Sequence, residues 1–153
     1  MKDKKNNLDN LRHSIAHLLA AAVMKLWPNA KRTIGPAIED GFYYDFDFGN
    51  IKITEEDLPK IEKTMHALVK DWEGFEKTDV NADEAKKEYK DNPYKLELIS
   101  ELAINLQPLT IYQSGNYRDL CRGGHIDNPK NQLKHFKILS VAGAYWHGDE
   151  KNK

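Results

Sequence analysis

The feature that most constrains this chain is Ser14 to Met24, a run without one formal charge in a sequence where 31% of residues are charged. A helix from about Asp9, a good N-cap, to about Trp27, stopped by Pro28, accommodates that run. Its apolar stripe is Leu8, Leu11, Ile15, Leu18, Leu19, Ala22, Val23 and Leu26, at helical spacing. Stepping about 100° per residue places His13 and His17 roughly 140–180° from the stripe, beside Ala20, Ala21 and Met24. A solvated face carries Lys and Glu instead. The helix is therefore expected to be covered on two sides, with its histidines facing a cleft.

The remaining signals alternate between strand and helix, without an internal repeat. Thr33 to Ile38 and Phe42 to Phe48 read as strands joined by the turn Glu39-Asp40-Gly41. Phe42, Tyr44, Phe46 and Phe48 share one face of the second strand; Tyr43, Asp45 and Asp47 share the other. Thr54-Glu55-Glu56-Asp57 opens a helix to about Trp72. Phe75 to Val80 is a strand, Asn81 caps a short charged helix, and Pro93 starts another near Tyr94 to Leu102. Strand-like runs follow at Leu109 to Gln113, at Tyr117 to Leu120, and from His135 to Val141 into Ala144-Tyr145-Trp146. Gly123-Gly124 and Pro129 punctuate them. The expected fold is α+β, a mainly antiparallel sheet packed with a long N-terminal helix and further helices. One domain fills residues 1–153, with 1–8 disordered or a lead-in to the helix and 150–153 opening a linker.

With 23 basic and 24 acidic residues the net charge is −1, which excludes a protein that grips polyanions by bulk charge. Residues 54–101 hold 14 acids and 8 bases, and residues 104–153 hold 4 acids and 7 bases. A polyanion is thus expected along Arg118, Arg122, Lys130, Lys134 and Lys137, although an ordinary solvated surface has the same composition. The single cysteine, Cys121, excludes an intramolecular disulfide and suits a reducing compartment. Met1 to Asn7 is polar and basic, unlike a secretory signal, and Ser14 to Met24 is about half a membrane span. These features point to a cytoplasmic protein with no membrane partner.

Two pairs carry chemistry: His13 with His17, and Cys121 with His125 across Arg122-Gly123-Gly124. Histidines at i and i+4 on one helix face can reach one ion, and a Cys and His flanking a Gly-Gly turn can converge likewise. One thiolate and three imidazoles make a tetrahedral set for zinc. Taken singly, such histidines are more often structural, and a lone cytosolic cysteine is usually a small core residue. The combination favours one shared site, with or without a metal. Asp119, two residues before Cys121, points to the same side in an extended strand and can orient a histidine or accept an ammonium. Lys95 is indistinguishable from other lysines on sequence alone. His66, His135 and His147 read as structural. No phosphate-binding glycine loop, dinucleotide fingerprint or Gly-x-Ser-x-Gly is present, which argues against ATP-driven chemistry by this segment.

Several runs together resemble the editing domain of bacterial threonyl-tRNA synthetases. They are Arg12-His13-Ser14-Ile15-Ala16-His17-Leu18-Leu19, Ile34-Gly35-Pro36, Asp40-Gly41-Phe42-Tyr43-Tyr44-Asp45 and Asp119-Leu120-Cys121-Arg122-Gly123-Gly124-His125. His135-Phe136-Lys137-Ile138-Leu139 and Ala142-Gly143-Ala144-Tyr145-Trp146-His147-Gly148-Asp149 complete the pattern. The matches run from about residue 11 to 152. Alanyl-tRNA editing domains and their free-standing relatives share the His-pair and Cys/His arrangement.

The resemblance implies hydrolysis of serine mischarged onto the threonine-specific tRNA, with the aminoacylated 3′ end of tRNA as partner. It makes His13, Lys95, Asp119 and Cys121 the catalytic group, with Tyr44, His17, His125 and Gly35 binding substrate. His13 is then base or orienter of water, Lys95 a water activator, Asp119 the acid that holds the seryl group, and Tyr44 a pocket wall. Alanyl-type relatives bind zinc through the positions of His13, His17, Cys121 and His125; threonyl-type sites are described as metal-free, and the metal-free mechanism is favoured. Gly124 stands where proline is common. Aminoacylation and anticodon-binding domains are expected in a parent synthetase, and no aminoacylation by this segment alone. Alternatives are a non-catalytic tRNA-binding module with a structural zinc, and a zinc-dependent trans-editing hydrolase for another mischarged tRNA.

Overall fold

The computed structural model describes residues 2–33, 37–38, 41–121 and 125–141. Its helices are α1 (Lys2–Leu26), α2 (Leu58–Val69), α3 (Ala82–Glu88), α4 (Pro93–Ile104) and α5 (Pro129–Gln132). Its strands are β1 (Lys31–Arg32), β2 (Ala37–Ile38), β3 (Gly41–Phe42), β4 (Phe46–Asp47), β5 (Glu76–Val80), β6 (Leu109–Ser114) and β7 (Tyr117–Leu120). The fold is α+β, with every described ladder antiparallel: a sheet in the order β5-β6-β7 and the two-stranded pairs β1-β4 and β2-β3.

Helix α1 is covered on both sides. Ile15, Leu18, Ala22 and Val23 are buried in one cluster with Leu58, Ile61, Met65 and Val69 of α2 and with Trp72. Ala16 and Ala20 are buried in another with Tyr44. The helix starts at Lys2, not at Asp9, so residues 2–8 are helical and Asp9 lies inside the helix instead of capping it. Lysine is a good helix former, and each residue added to an existing helix gains a backbone hydrogen bond without a new nucleation cost.

The expected hairpin is broken into two short ladders, Lys31 and Arg32 opposite Asp47 and Phe46, and Ala37 and Ile38 opposite Phe42 and Gly41. Between them the Asp45 carbonyl accepts from both the backbone N–H and the hydroxyl of Thr33. The shared aromatic face is as expected: Tyr44 stacks on Phe46, Phe46 lies against Phe48, and Tyr43 is exposed. Gly35 lies outside the described residues.

Helix α2 follows a 3-10 turn at Glu55–Asp57, where the Thr54 N–H donates to the Asp57 carboxylate at 2.9 Å. It ends at Val69, and a turn then carries Trp72 into the core. At the other end of the sheet, Gly115 joins β6 to β7 at φ +57°, and a Cβ there would sit 3.0 Å from the Trp72 ring. A third apolar cluster, Ala85, Tyr89, Ile99, Leu109, Ile111 and Leu120, packs α3 and α4 on the sheet.

Residues 135–141 form no strand, a correction to the alternation seen in the sequence. They cross α2 by side-chain contacts. Leu133 is fully buried, Phe136 stacks on His66 at 4.3 Å, and the Ile138 N–H donates to Glu62 at 2.8 Å. The expected continuation at residues 144–146 lies outside the described residues, as do the linker at 150–153 and His147. The sequence also missed α5, a single turn begun by the buried Pro129.

Candidate functional site

Two pairs of side chains, over a hundred residues apart in sequence, meet at one place. One ligand atom from each of His13, His17, Cys121 and His125 lies within 4.8 Å of the other three. The His13, His17 and His125 ring centroids are 4.6–4.8 Å apart. Cys121 Sγ is 3.2 Å from His125 Nε2. The helix spacing fixes the first pair; the second is placed by β7, whose last residue, Leu120, precedes Cys121. Thr110 on β6 clamps that cysteine, exchanging Cys121 N–H to Thr110 carbonyl and Thr110 hydroxyl to Cys121 carbonyl bonds.

Ser14 ties the two pairs together. Fully buried between the histidines of α1, its hydroxyl accepts the Ile126 N–H at 3.1 Å and lies 3.4 Å from His125 Nδ1. Aromatic rings close the sides: Phe75 stacks on His125 at 4.1 Å and Tyr112 lies 4.7 Å from it. Burial pushes the His17 imidazole down to about 3, aided by His13, Lys95 and Arg32 and opposed by Asp119. Burial, with His17 and His13 beside it, pushes His125 down to about 2. Both are neutral at pH 7, the form that ligates metal.

The donor set fits zinc. Tetrahedral bond lengths imply ligand–ligand separations of about 3.3–3.8 Å, so the quartet needs only modest closure. His17 Nδ1 is also buried with no hydrogen-bond partner among the described residues, a position a metal would satisfy.

Beside the quartet lies a buried ion pair. Asp119 and Lys95 are 1% and 2% exposed, and Lys95 Nζ is 3.0 Å from Asp119 Oδ1. Asn92 positions the lysine by capping α4, its side chain accepting from the N–H groups of Tyr94 and Lys95. Tyr44 and Tyr117 hydroxyls donate to Asp119 Oδ2 at 2.5 and 2.9 Å, and the Leu120 N–H donates to Oδ1. Arg32 Nη1 stands 3.5 Å from Oδ1. Burial alone would raise the Asp119 carboxyl, but Lys95, Arg32 and His17 hold it well below the usual carboxylate range. Burial pulls Lys95 below the ordinary lysine range, against the pull of Asp119. Tyr44 is pushed well above its usual range by burial and by Asp119, so it remains a donor. Tyr117 links the two halves, its ring 6.0 Å from His17 and its hydroxyl on Asp119.

The structure thus brings His13, His17, Cys121 and His125 together, and separately gathers Lys95, Asp119 and Tyr44 into a network joined to them through Tyr117. Arg122, Gly123 and Gly124 lie outside the described residues. Arg32, Tyr117 and Ser14 were not singled out from sequence. Tyr117 was within reach, because residues 117 and 119 share a strand face. Nothing in the sequence marks Arg32. Of the basic residues expected to meet a polyanion, Arg118, Lys130, Lys134 and Lys137 are exposed; Arg118 is paired with Glu88 at 2.9 Å and Lys137 with Glu62 at 3.7 Å.

A small α+β domain with a His/Cys quartet beside a buried Lys–Asp pair is the class that fold and site define. Over nearly its whole length the chain is homologous to one region of threonine–tRNA ligases. It is 54% identical over 143 residues to the threonine–tRNA ligase of Thermotoga neapolitana, covering 92% of this chain and 22% of that protein. The enzymes of Borrelia turicatae (51% over 152 residues, 99% of this chain, 26% of that one) and Dehalococcoides mccartyi (49% over 146, 95% and 24%) match similarly. The chain therefore spans about a quarter of the length of these relatives. No family model matches it. No described helix is long and apolar enough to cross a membrane.

Proposed function

We propose that this chain is the editing part of a threonine–tRNA ligase, an esterase that removes serine from mischarged threonine-specific tRNA in the cytoplasm. The observation that carries this reading is the meeting of the quartet with the buried Lys95–Asp119–Tyr44 network. Serine lacks only the methyl group of threonine, a difference worth about 1–3 kcal/mol in a single binding pocket, so a second and smaller sieve is needed.

In the reaction a water oxygen attacks the ester carbonyl carbon, the bond to the ribose oxygen breaks, and a proton passes from the water to that oxygen. His13 and Lys95 are the groups that orient the water and carry its proton. Asp119 takes the seryl ammonium, Tyr44 walls the pocket, and Cys121, His17 and His125 shape its floor, with Gly35 as a further contact. No metal is required by this route. Should zinc bind, His13, His17, Cys121 and His125 would hold it, and it would supply Lewis acidity at the carbonyl. The aminoacylated 3′ end of tRNA is the partner, and ligation belongs to other parts of the parent enzyme.

The test is hydrolysis of seryl- against threonyl-tRNA, with and without chelator. The expected result is selective loss of serine, with activity surviving chelation. His13→Ala and Lys95→Ala each reduce the rate at least about 100-fold, the scale of a lost proton-transfer group. Wild-type rates in both variants would show these residues are not the proton carriers. A second reading, a structural zinc module, draws on the unpartnered His17 Nδ1 and the Cys121–His125 contact. It predicts tRNA binding with no hydrolysis of any ester.

A further inference from the structure

Asp119 is fully subscribed. Two tyrosine hydroxyls, one backbone N–H and Lys95 fill the roughly four lone-pair sites of its two oxygens, and Arg32 stands 3.5 Å from Oδ1 as a second cation. A ligand ammonium can therefore reach Asp119 only by displacing a donor. The tyrosines and the backbone are neutral, which leaves two cations, and these are held very differently.

Lys95 is exchangeable. Its ammonium sits on a flexible stem and has a second acceptor, Tyr44 Oη, at 3.2 Å. Arg32 is clamped. Its Nη1 donates to the Arg118 carbonyl at 2.7 Å, and its guanidinium lies over the Tyr117 and Tyr89 rings at 5.2 and 5.5 Å. Its own carbonyl accepts from Asn92, the residue that caps α4 beneath Lys95. An arginine so stacked and bonded keeps both its place and its charge. The carboxylate thus carries a permanent positive neighbour in addition to Lys95, and every further cation meets that charge in a low-dielectric site.

We propose that Arg32 sets how tightly this pocket holds an ammonium: its fixed charge on Asp119, the one buried carboxylate among the described residues, loosens the grip on ammonium-bearing acyl groups, so that they exchange instead of being trapped. This inference rests on the editing function proposed above, in which Asp119 receives the seryl ammonium. Removing the guanidinium leaves Lys95 and Asp119 as a balanced pair, so Arg32→Gln is compatible with a folded core.

The experiment measures inhibition of seryl-tRNA deacylation by serinamide, which carries the ammonium, and by glyceramide, which has a hydroxyl in its place. In Arg32→Gln the inhibition constant for serinamide is expected to fall about tenfold while that for glyceramide changes less than about twofold, the scale of one close charge contact. KM for seryl-tRNA falls in parallel, and Arg32→Lys, which keeps a charge but loses the stacked clamp, is expected to lie between wild type and Arg32→Gln. Equal shifts for both amides, no shift, or a weaker grip on serinamide would overturn the role of Arg32. Those outcomes require deacylation to be measurable. If the wild-type chain hydrolyses no seryl-tRNA, the editing reading itself fails, and the role of Arg32 falls with it.

Discussion

Lys95 and Asp119 are costly residues for a domain of this size to bury. Taking two charges from water costs several kcal/mol per ion, and a good pair does no more than offset that. Their retention at 2% and 1% exposure points to use in chemistry more than in stability. The neighbouring imidazoles add an acid sensitivity of calculable sign. His17 and His125 have folded-state values depressed to about 3 and about 2, below the ordinary 6.5. The unfolded chain therefore binds more protons below pH 6.5, and the stability these groups contribute is full above that pH and lost as pH falls toward 3. Between pH 6.5 and 5 each histidine is expected to remove up to about 2 kcal/mol. Urea unfolding of chelator-treated protein at the two pH values measures this, and equal midpoints would mean that the imidazoles are not buried in neutral form.

At the scale of elements, the sequence was legible where periodicity and caps were strong. The two covered sides of α1 followed from the missing charges at Ala20, Ala21 and Met24, and Asn81 begins α3 as its residue type predicts. It was misleading where alternation stood in for pairing. Residues 135–141 have the pattern of a strand but dock on α2 through Phe136 and Ile138, and a strand is made by a partner, which no alternation reveals. The burial of Lys95 was equally hidden, because it depends on Asp119 arriving from β7. The hinge of that arrangement is Asn92. Asn92→Ala removes the cap of α4 and the bond to the Arg32 carbonyl, so a loss of about 1–2 kcal/mol in thermal unfolding is expected. Deacylation should fall as well, because the same cap aims Lys95, and unchanged stability would show that the cap is dispensable.

At the scale of the molecule, two apolar cores flank the site, one joining α1 to α2 and the other joining α3 and α4 to the sheet. Neither offers a nucleotide-binding loop, and the chain matches only about a quarter of the ligases it resembles. Incubation with ATP, threonine and tRNA is expected to yield no threonyl-tRNA; charging by the purified chain would refute the separation of functions. The bond between Ser14 and His125, 111 residues apart, has a consequence for biosynthesis. A ribosome must release almost the entire described chain before α1 can find its partner loop. Until then the histidine face of that first helix is bare and awaits a mate, which makes it a natural stretch for a chaperone to shelter. The four-residue cluster can be completed only as a late event in the life of each new molecule, once Cys121 and His125 have been added to the chain.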